Sequence, residues 1–355
     1  MRERGVAVAD EESLTDMVWA NADRFADAVA LRRRVDGSWI DVTTADFAAQ
    51  VIALAQGLIG VGLGPGDRVA LLSRPRYEWT LLDFAIWTAG CVSVPVSIAD
   101  DLVSVLGKSA AKAVIVETTD DRHAVEGVVD RLAEMVKVWQ LDPVGEFAPA
   151  IDELVALGAG VDPQEAHTRR LAVRSSDVAT IVDGAELTHR DLLGQVRATI
   201  STFPELLRPG TATLTFLPLT GLVSRVVSLC SVYARTTLGH LPDTRALAAD
   251  LATFRPTFVV ADPAVLSTVY ETARAARPDP RLFAVAEEVA VSFSKAPTLS
   301  LRVRRAAMSK LVYGGVRAVL GGRCEAVILA QDGLDPELGH FFRGVGIPTH
   351  RAPQL

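Results

Sequence analysis

A chain of 355 residues is long enough for two domains of ordinary size and can bury a core without disulfide staples. Hydrophobic residues make up 49% and charged residues 22%, which excludes a disordered chain. The net charge of −7 argues against a general nucleic-acid binder, which carries a basic face.

The three cysteines, Cys91, Cys230 and Cys324, lie far apart in apolar runs. They make no zinc motif or disulfide framework and are expected as buried, inert thiols of a cytoplasmic protein. Residues 1–12 lack the apolar core of a signal peptide. The longest uncharged stretch, 84–99, contains Gly90 and Pro95 and is too short to cross a bilayer.

The first helix is expected after Thr44 as cap, because Phe47, Val51, Leu54, Ala55 and Leu58 fall on one helical face. Gly60, Gly62, Gly64, Pro65 and Gly66 stop it as a turn, not as a phosphate loop, since they precede a strand and include no lysine. Strands are predicted over 68–72, 91–96 and 113–116, with helices over 78–89 and 122–134. Residues 142–177 are richer in Pro, Gly and Asp and read as a connection. The alternation then resumes: strands over 179–182, 211–217, 257–261 and 325–330, helices over 188–202, 223–234, 281–293, 299–320 and 336–343, with another opened by Pro263. The apolar strands imply a largely parallel sheet covered on both faces. The domains are therefore expected as 1–145, a linker-like 146–177, and 178–355.

The six histidines do not sit at metal-ligand spacing. Ser175-Ser176-Asp177 lacks a nucleophile elbow. From Lys295 to Arg323 there are seven basic residues and no acidic one, interleaved with Leu299, Leu301, Val303 and Leu311. Arg302, Arg304, Arg305 and Lys310 are the candidates there for contact with anionic lipid or a polyphosphate, against the simpler reading of a solvated helix face.

Several segments together carry a resemblance. They are Pro65-Gly66-Asp67-Arg68-Val69-Ala70-Leu71-Leu72-Ser73, Arg76-Tyr77-Glu78-Trp79, Glu186-Leu187-Thr188-His189-Arg190-Asp191-Leu192, Phe216-Leu217-Pro218-Leu219, Phe254-Arg255-Pro256-Thr257 and Leu338-Gly339-His340-Phe341-Phe342. Over about Met17 to Ile347 the chain resembles the long-chain acyl-CoA synthetases of the AMP-forming superfamily, in an actinobacterial style. The resemblance implies an α/β fold, the layered αβαβα N-terminal region of an adenylate-forming enzyme, without the C-terminal domain.

The departures from that pattern bear on function. The family's phosphate loop, T-S-G-T-T-G-x-P-K-G, is due between strand 179–182 and Glu186, where only Asp183-Gly184-Ala185 stand. A Gly-rich loop with hydroxyls and a lysine is what cradles nucleotide phosphates. Gly221 replaces the family's histidine after F-L-P-L-A, and Gln331 and Asp332 stand where an adenine-side Gly-Gly-Ala-Pro-Leu is due. The magnesium glutamate and the C-terminal domain with its lysine would lie beyond Leu355.

The resemblance thus implies a degenerate ATP site around Asp183, Gly184, Thr188, Gln331 and Asp332, with no catalytic residue, metal or cofactor. Candidate acyl-pocket residues are Leu217, Leu219, Gly221, Leu222 and Val226. The expected function is a pseudoenzyme that binds a fatty acid or acyl-CoA, or scaffolds a homodimer or a full-length synthetase paralogue. It would be cytoplasmic, without nucleic acid, and would touch membranes at most peripherally. The alternative is an active fatty-acid–CoA ligase completed by a partner chain.

Overall fold

The computed structural model describes residues 7–132, 137–144, 148–276 and 279–353. The chain divides into two compact units, one of residues 1–202 and 218–235, the other of 203–217 and 236–355.

The first unit opens with α1 (Asp16–Arg24), the hairpin of β1 (Val29–Val35) and β2 (Ser38–Thr43), and α2 (Thr44–Gly60). Thr43, one residue before the expected cap, closes α2. Its hydroxyl accepts from Asp46 N at 3.1 Å, and Asp46 Oδ2 accepts from Thr43 N at 3.4 Å. Phe47, Val51, Leu54, Ala55 and Leu58 are all buried, as their spacing requires.

There follow β3 (Arg68–Leu72), α3 (Tyr77–Thr88), β4 (Val92–Pro95), α4 (Leu102–Ser109), β5 (Ala111–Val116), α5 (Thr119–Val129) and β6 (Lys137–Gln140). The expected end of the 122–134 helix lies outside the described residues. Next come α6 (Ala150–Gly158), α7 (Pro163–Ala172), β7 (Val178–Val182), β8 (Ala185–Thr188) and α8 (His189–Thr202). Six strands form one sheet in the order β6-β5-β3-β4-β7-β8, parallel except for β8. Every residue of α3 but Glu78 is buried, so this helix is core all round.

In the expected linker 146–177, whose first two residues lie outside the described residues, the stretch 148–177 carries two helices, α6 and α7, and belongs to the first unit. Its helix α6 packs on α2 with backbones touching. A Cβ on Gly57 would meet Leu154 O at 2.1 Å, and one on Gly158 would meet Gly57 N at 2.6 Å. Two glycines facing each other let the helices approach this closely, and that contact ties the stretch into the first unit rather than leaving it as a spacer.

The second unit begins with β9 (Ala212–Thr215); α9 (Leu222–Ala234) belongs to the first unit. Then come β10 (Thr237–His240), α10 (Leu247–Phe254), β11 (Phe258–Ala261), α11 (Pro263–Ala275), α12 (Pro280–Lys295) and α13 (Leu299–Met308). A π-helical turn (Ser309–Tyr313) leads into α14 (Gly314–Val319), followed by β12 (Ala326–Leu329), α15 (Pro336–Val345) and β13 (Thr349–Arg351). Its five strands run parallel in the order β13-β12-β11-β9-β10.

Candidate functional site

The segment due to hold a phosphate loop is a tight β-hairpin. Val182 on β7 pairs with Ala185 on β8, and only Asp183 and Gly184 lie between them. Both have positive φ, 51° and 79°, the mirror-image turn that matches strand twist and that Asp-Gly favours. The hydroxyls of this stretch are committed elsewhere. Thr180 Oγ1 donates to Ser93 O at 2.7 Å and accepts from Arg225 Nη1 at 2.5 Å. Thr188 caps α8: its Oγ1 accepts from Asp191 N at 3.1 Å, and its own N donates to Asp191 Oδ2 at 2.8 Å. Nearby Arg190 pairs with Asp10 and donates to Ser175 Oγ at 2.8 Å.

A cavity of about 410 Å³ adjoins the turn. Asp100, Asp183 and Glu186 face it against Lys108 alone, so its charge opposes a polyphosphate.

Beneath the hairpin lies a buried polar network. Arg225 of α9 donates to Asp83 Oδ1 of α3 at 2.9 Å, and Ser93 Oγ donates to the same oxygen at 2.5 Å. Trp87 Nε1 donates to Ala179 O at 2.7 Å and brings the α3 indole against β7. Every charge here is paired and hydrogen-bonded, as burial demands. Beside it, His189 Nδ1 accepts from Leu14 N at 3.2 Å. Burial pushes its pKa down to about 4, against a small opposing effect of Asp177, so the ring is neutral. The three cysteines are buried; burial raises their thiols, those of Cys91 and Cys324 to about 12, which leaves them inert.

A second cavity of about 410 Å³ opens at the carboxyl ends of the first unit's parallel strands. The chain passes from β3 to β4 on one side and returns to β5 on the other, which makes β3/β5 a topological switch point, the usual place for a ligand in an open α/β sheet. Its walls come from Ser73 and Arg74 after β3, Ser97 and Ile98 after β4, Glu117, Thr118, Asp120 and Asp121 after β5, and Pro218 and Thr220. Buried Glu117 accepts from Arg74 N at 2.7 Å, Arg74 Nε at 3.0 Å and Arg74 Nη2 at 2.5 Å. Arg76 is held protonated by Asp142 and Glu78 despite its burial. Sequence reading missed this cavity. The usable signal was Arg74-Pro75-Arg76 and Glu117-Thr118 standing directly after two predicted parallel strands.

Of the expected acyl-pocket residues, Leu219 and Val226 are core, Leu217 is buried, Leu222 is half-buried and Gly221 is exposed. Pro218 and Thr220, interleaved with them, line the strand-end cavity. Gln331 and Asp332 lie in the loop after β12, where Asp332 pairs with Arg351 at 3.2 Å. Asp183, Gly184 and Thr188 belong to the other unit. Among the described residues, no three His, Cys, Asp or Glu side chains are grouped to hold a metal ion. Of the expected basic set, Arg302, Arg304 and Lys310 are exposed. Arg305 turns inward instead: its Nε donates to Gly344 O at 2.6 Å and its guanidinium lies 4.8 Å from the Phe293 ring centroid.

Residues 18–352 match the family described as AMP-binding enzyme. The chain belongs to that family. Within it, the chain is 37% identical over 368 residues to the long-chain-fatty-acid–CoA ligase FadD15 of Mycobacterium tuberculosis, across 97% of this chain and 60% of that ligase. It is 26% identical to the peroxisomal long chain acyl-CoA synthetase 7 of Arabidopsis thaliana, across 88% of this chain and 47% of the relative. The chain therefore spans about half to three fifths of the length of these relatives.

Solved structures of family members share the fold. A long-chain-fatty-acid–CoA ligase from Archaeoglobus fulgidus superposes with a TM-score of 0.72 at 14% identity, covering 97% of this chain and 64% of the other. The N-terminal domain of FACL13 from Mycobacterium tuberculosis gives 0.68 at 18% identity, covering 97% and 76%. The architecture is that of the N-terminal domain of adenylate-forming enzymes. No helix among the described residues is long and apolar enough to cross a membrane.

Proposed function

We propose that this acyl-CoA-synthetase-like protein is silent in adenylation and serves lipid metabolism by binding. The observation that carries the reading is the two-residue turn between Val182 and Ala185. Adenylation depends on donors preorganised around the phosphates and the departing pyrophosphate. Loss of a single such donor typically costs about 10²–10³ in rate. Here the whole Gly-rich, hydroxyl-bearing, lysine-bearing run is replaced by a hairpin turn with a carboxylate at its tip. The loss is internal to the chain and is independent of any residue beyond Leu355.

The binding part of the reading rests on the retained scaffold, whose strand-end cavity joins apolar walls and hydroxyls to three carboxylates, Glu117, Asp120 and Asp121, of which Glu117 is neutralised by Arg74; that lining suits an acyl chain better than a polyphosphate. A fatty acid or acyl-CoA is the ligand class that the likeness to long-chain ligases favours. The purified chain, incubated with palmitate, ATP, Mg²⁺ and coenzyme A beside the mycobacterial FadD15, is expected to yield neither acyl-adenylate nor acyl-CoA by mass spectrometry, while retaining palmitate or palmitoyl-CoA in equilibrium dialysis. Product above the enzyme-free control would overturn the silent reading, and absence of retention would overturn the binding part.

A further inference from the structure

We propose that α13 and the π-helical turn after it form a docking face for an anionic lipid surface. Helix α13 buries none of its ten residues, although six of them are apolar. Leu299, Val303 and Leu311 are 79%, 66% and 51% exposed. On a helix, Leu299, Val303 and Ala306–Ala307 follow at three- and four-residue steps and form one outward stripe. The wider π-helical turn keeps Leu311 exposed while Val312 and Tyr313 are fully buried. Tyr313 Oη donates to Ala286 O at 2.8 Å and fixes that end of the face to α12. Arg305 fixes the opposite side through Gly344 O. The apolar stripe is thus held outward by a rigid footing.

The charges around the stripe select the partner. Arg302 and Arg304 flank it and Lys310 lies between Ala306 and Leu311; all three are exposed. None of them forms an ion pair among the described residues, whereas Lys295 is paired with Glu337. Residues 296–324 contain no acidic residue, in a chain whose net charge is −7. An apolar ridge bordered by long cationic side chains is what an interfacial helix presents to acyl chains and phosphate headgroups. The concentration of unpaired positive charge against the chain's overall sign makes an anionic bilayer a better fit than a second copy of this chain.

The test is co-sedimentation with vesicles of phosphatidylcholine mixed with phosphatidylglycerol, against phosphatidylcholine alone. The chain is expected to partition to the anionic vesicles and to leave them at high salt. The triple change Arg302→Glu, Arg304→Glu, Lys310→Glu removes three cations, each worth roughly fivefold at such a surface, so partition should fall about a hundredfold or more. Val303→Ser with Leu311→Ser should weaken it without changing salt dependence. A Val303→Trp variant should show a blue-shifted emission on anionic vesicles. All these positions are exposed, so circular dichroism should be unchanged. Equal partition to both vesicle types, or wild-type partition of the charge-reversed variant, would overturn the proposal. So would emission that vesicles leave unmoved but that shifts with protein concentration, which would make the face a contact between copies.

Discussion

Val182 lies directly opposite Ala185 across a turn made only of Asp183 and Gly184. That pairing closes the sheet where the family resemblance leads one to expect a phosphate loop. It also explains why Thr180 and Thr188, the hydroxyls of this stretch, are free to serve the core and a helix cap. The turn therefore has to be stable in itself, and that is testable. Gly184 has φ of 79° with nothing within 4 Å of a would-be Cβ, so Gly184→Val meets backbone strain rather than a clash. A cost of about 1–2 kcal/mol is expected in denaturant unfolding. Asp183→Gly should be neutral or stabilising, because φ is 51° there too.

The Arg225–Asp83 pair makes a second prediction. Both side chains are under one-tenth exposed. Arg225→Met strands the Asp83 carboxylate among Ser93 and apolar neighbours and should cost about 3–5 kcal/mol. The double variant with Asp83→Leu should recover a large part of that loss, since the orphaned charge goes with it. A double variant as unstable as the single one would show that the network's geometry, rather than charge pairing, is what matters.

Folding should weaken in mild acid. Burial lowers His189 to about 4 and His240 to about 3, both below the unfolded value near 6.5. Between those values the unfolded chain binds more protons, so stability is full above pH 6.5 and falls as pH drops towards the folded values. His189 alone accounts for a loss on the order of 3 kcal/mol by pH 4. His189→Gln, whose amide oxygen can still accept from Leu14 N, should flatten part of that slope in unfolding measured from pH 7 to pH 4. An unchanged slope would count against a buried neutral ring.

The α2–α6 contact predicts a steric effect. Gly57→Ala places a methyl 2.1 Å from Leu154 O, which is backbone and cannot swing away. Helix separation should cost about 1–3 kcal/mol. Gly127→Ala, on α5 with nothing within 4 Å, is the matched control and should be neutral or slightly stabilising.

Much of the α/β order was legible because the buried parallel strands are unbroken apolar runs. The strand 68–72 has the predicted bounds, and α3 and α2 fall within a residue of theirs. The stretch 148–177 departs from its expected role as a connection for a physical reason. The prolines and aspartates that give this stretch a loop-like composition are helix-start signals: Pro163 opens α7 and Asp162 accepts from Gln164 N at 2.9 Å to cap it. Strand β8 was missed although Asp183-Gly184 is the strongest short hairpin signal available. The candidate site was legible only as an absence of phosphate-loop residues. The Arg225 network joins residues 142 positions apart, and the Glu117–Arg74 pair joins residues 43 apart. No local pattern marks such pairs.

The most direct measurement is calorimetric titration of the purified chain with ATP and Mg²⁺. The account predicts no saturable heat into the millimolar range, with or without palmitate, because the hairpin turn offers no hydroxyl or lysine and the adjoining cavity is net acidic. Saturable binding that Asp183→Arg strengthens or abolishes would contradict it and would place a phosphate site at this turn after all.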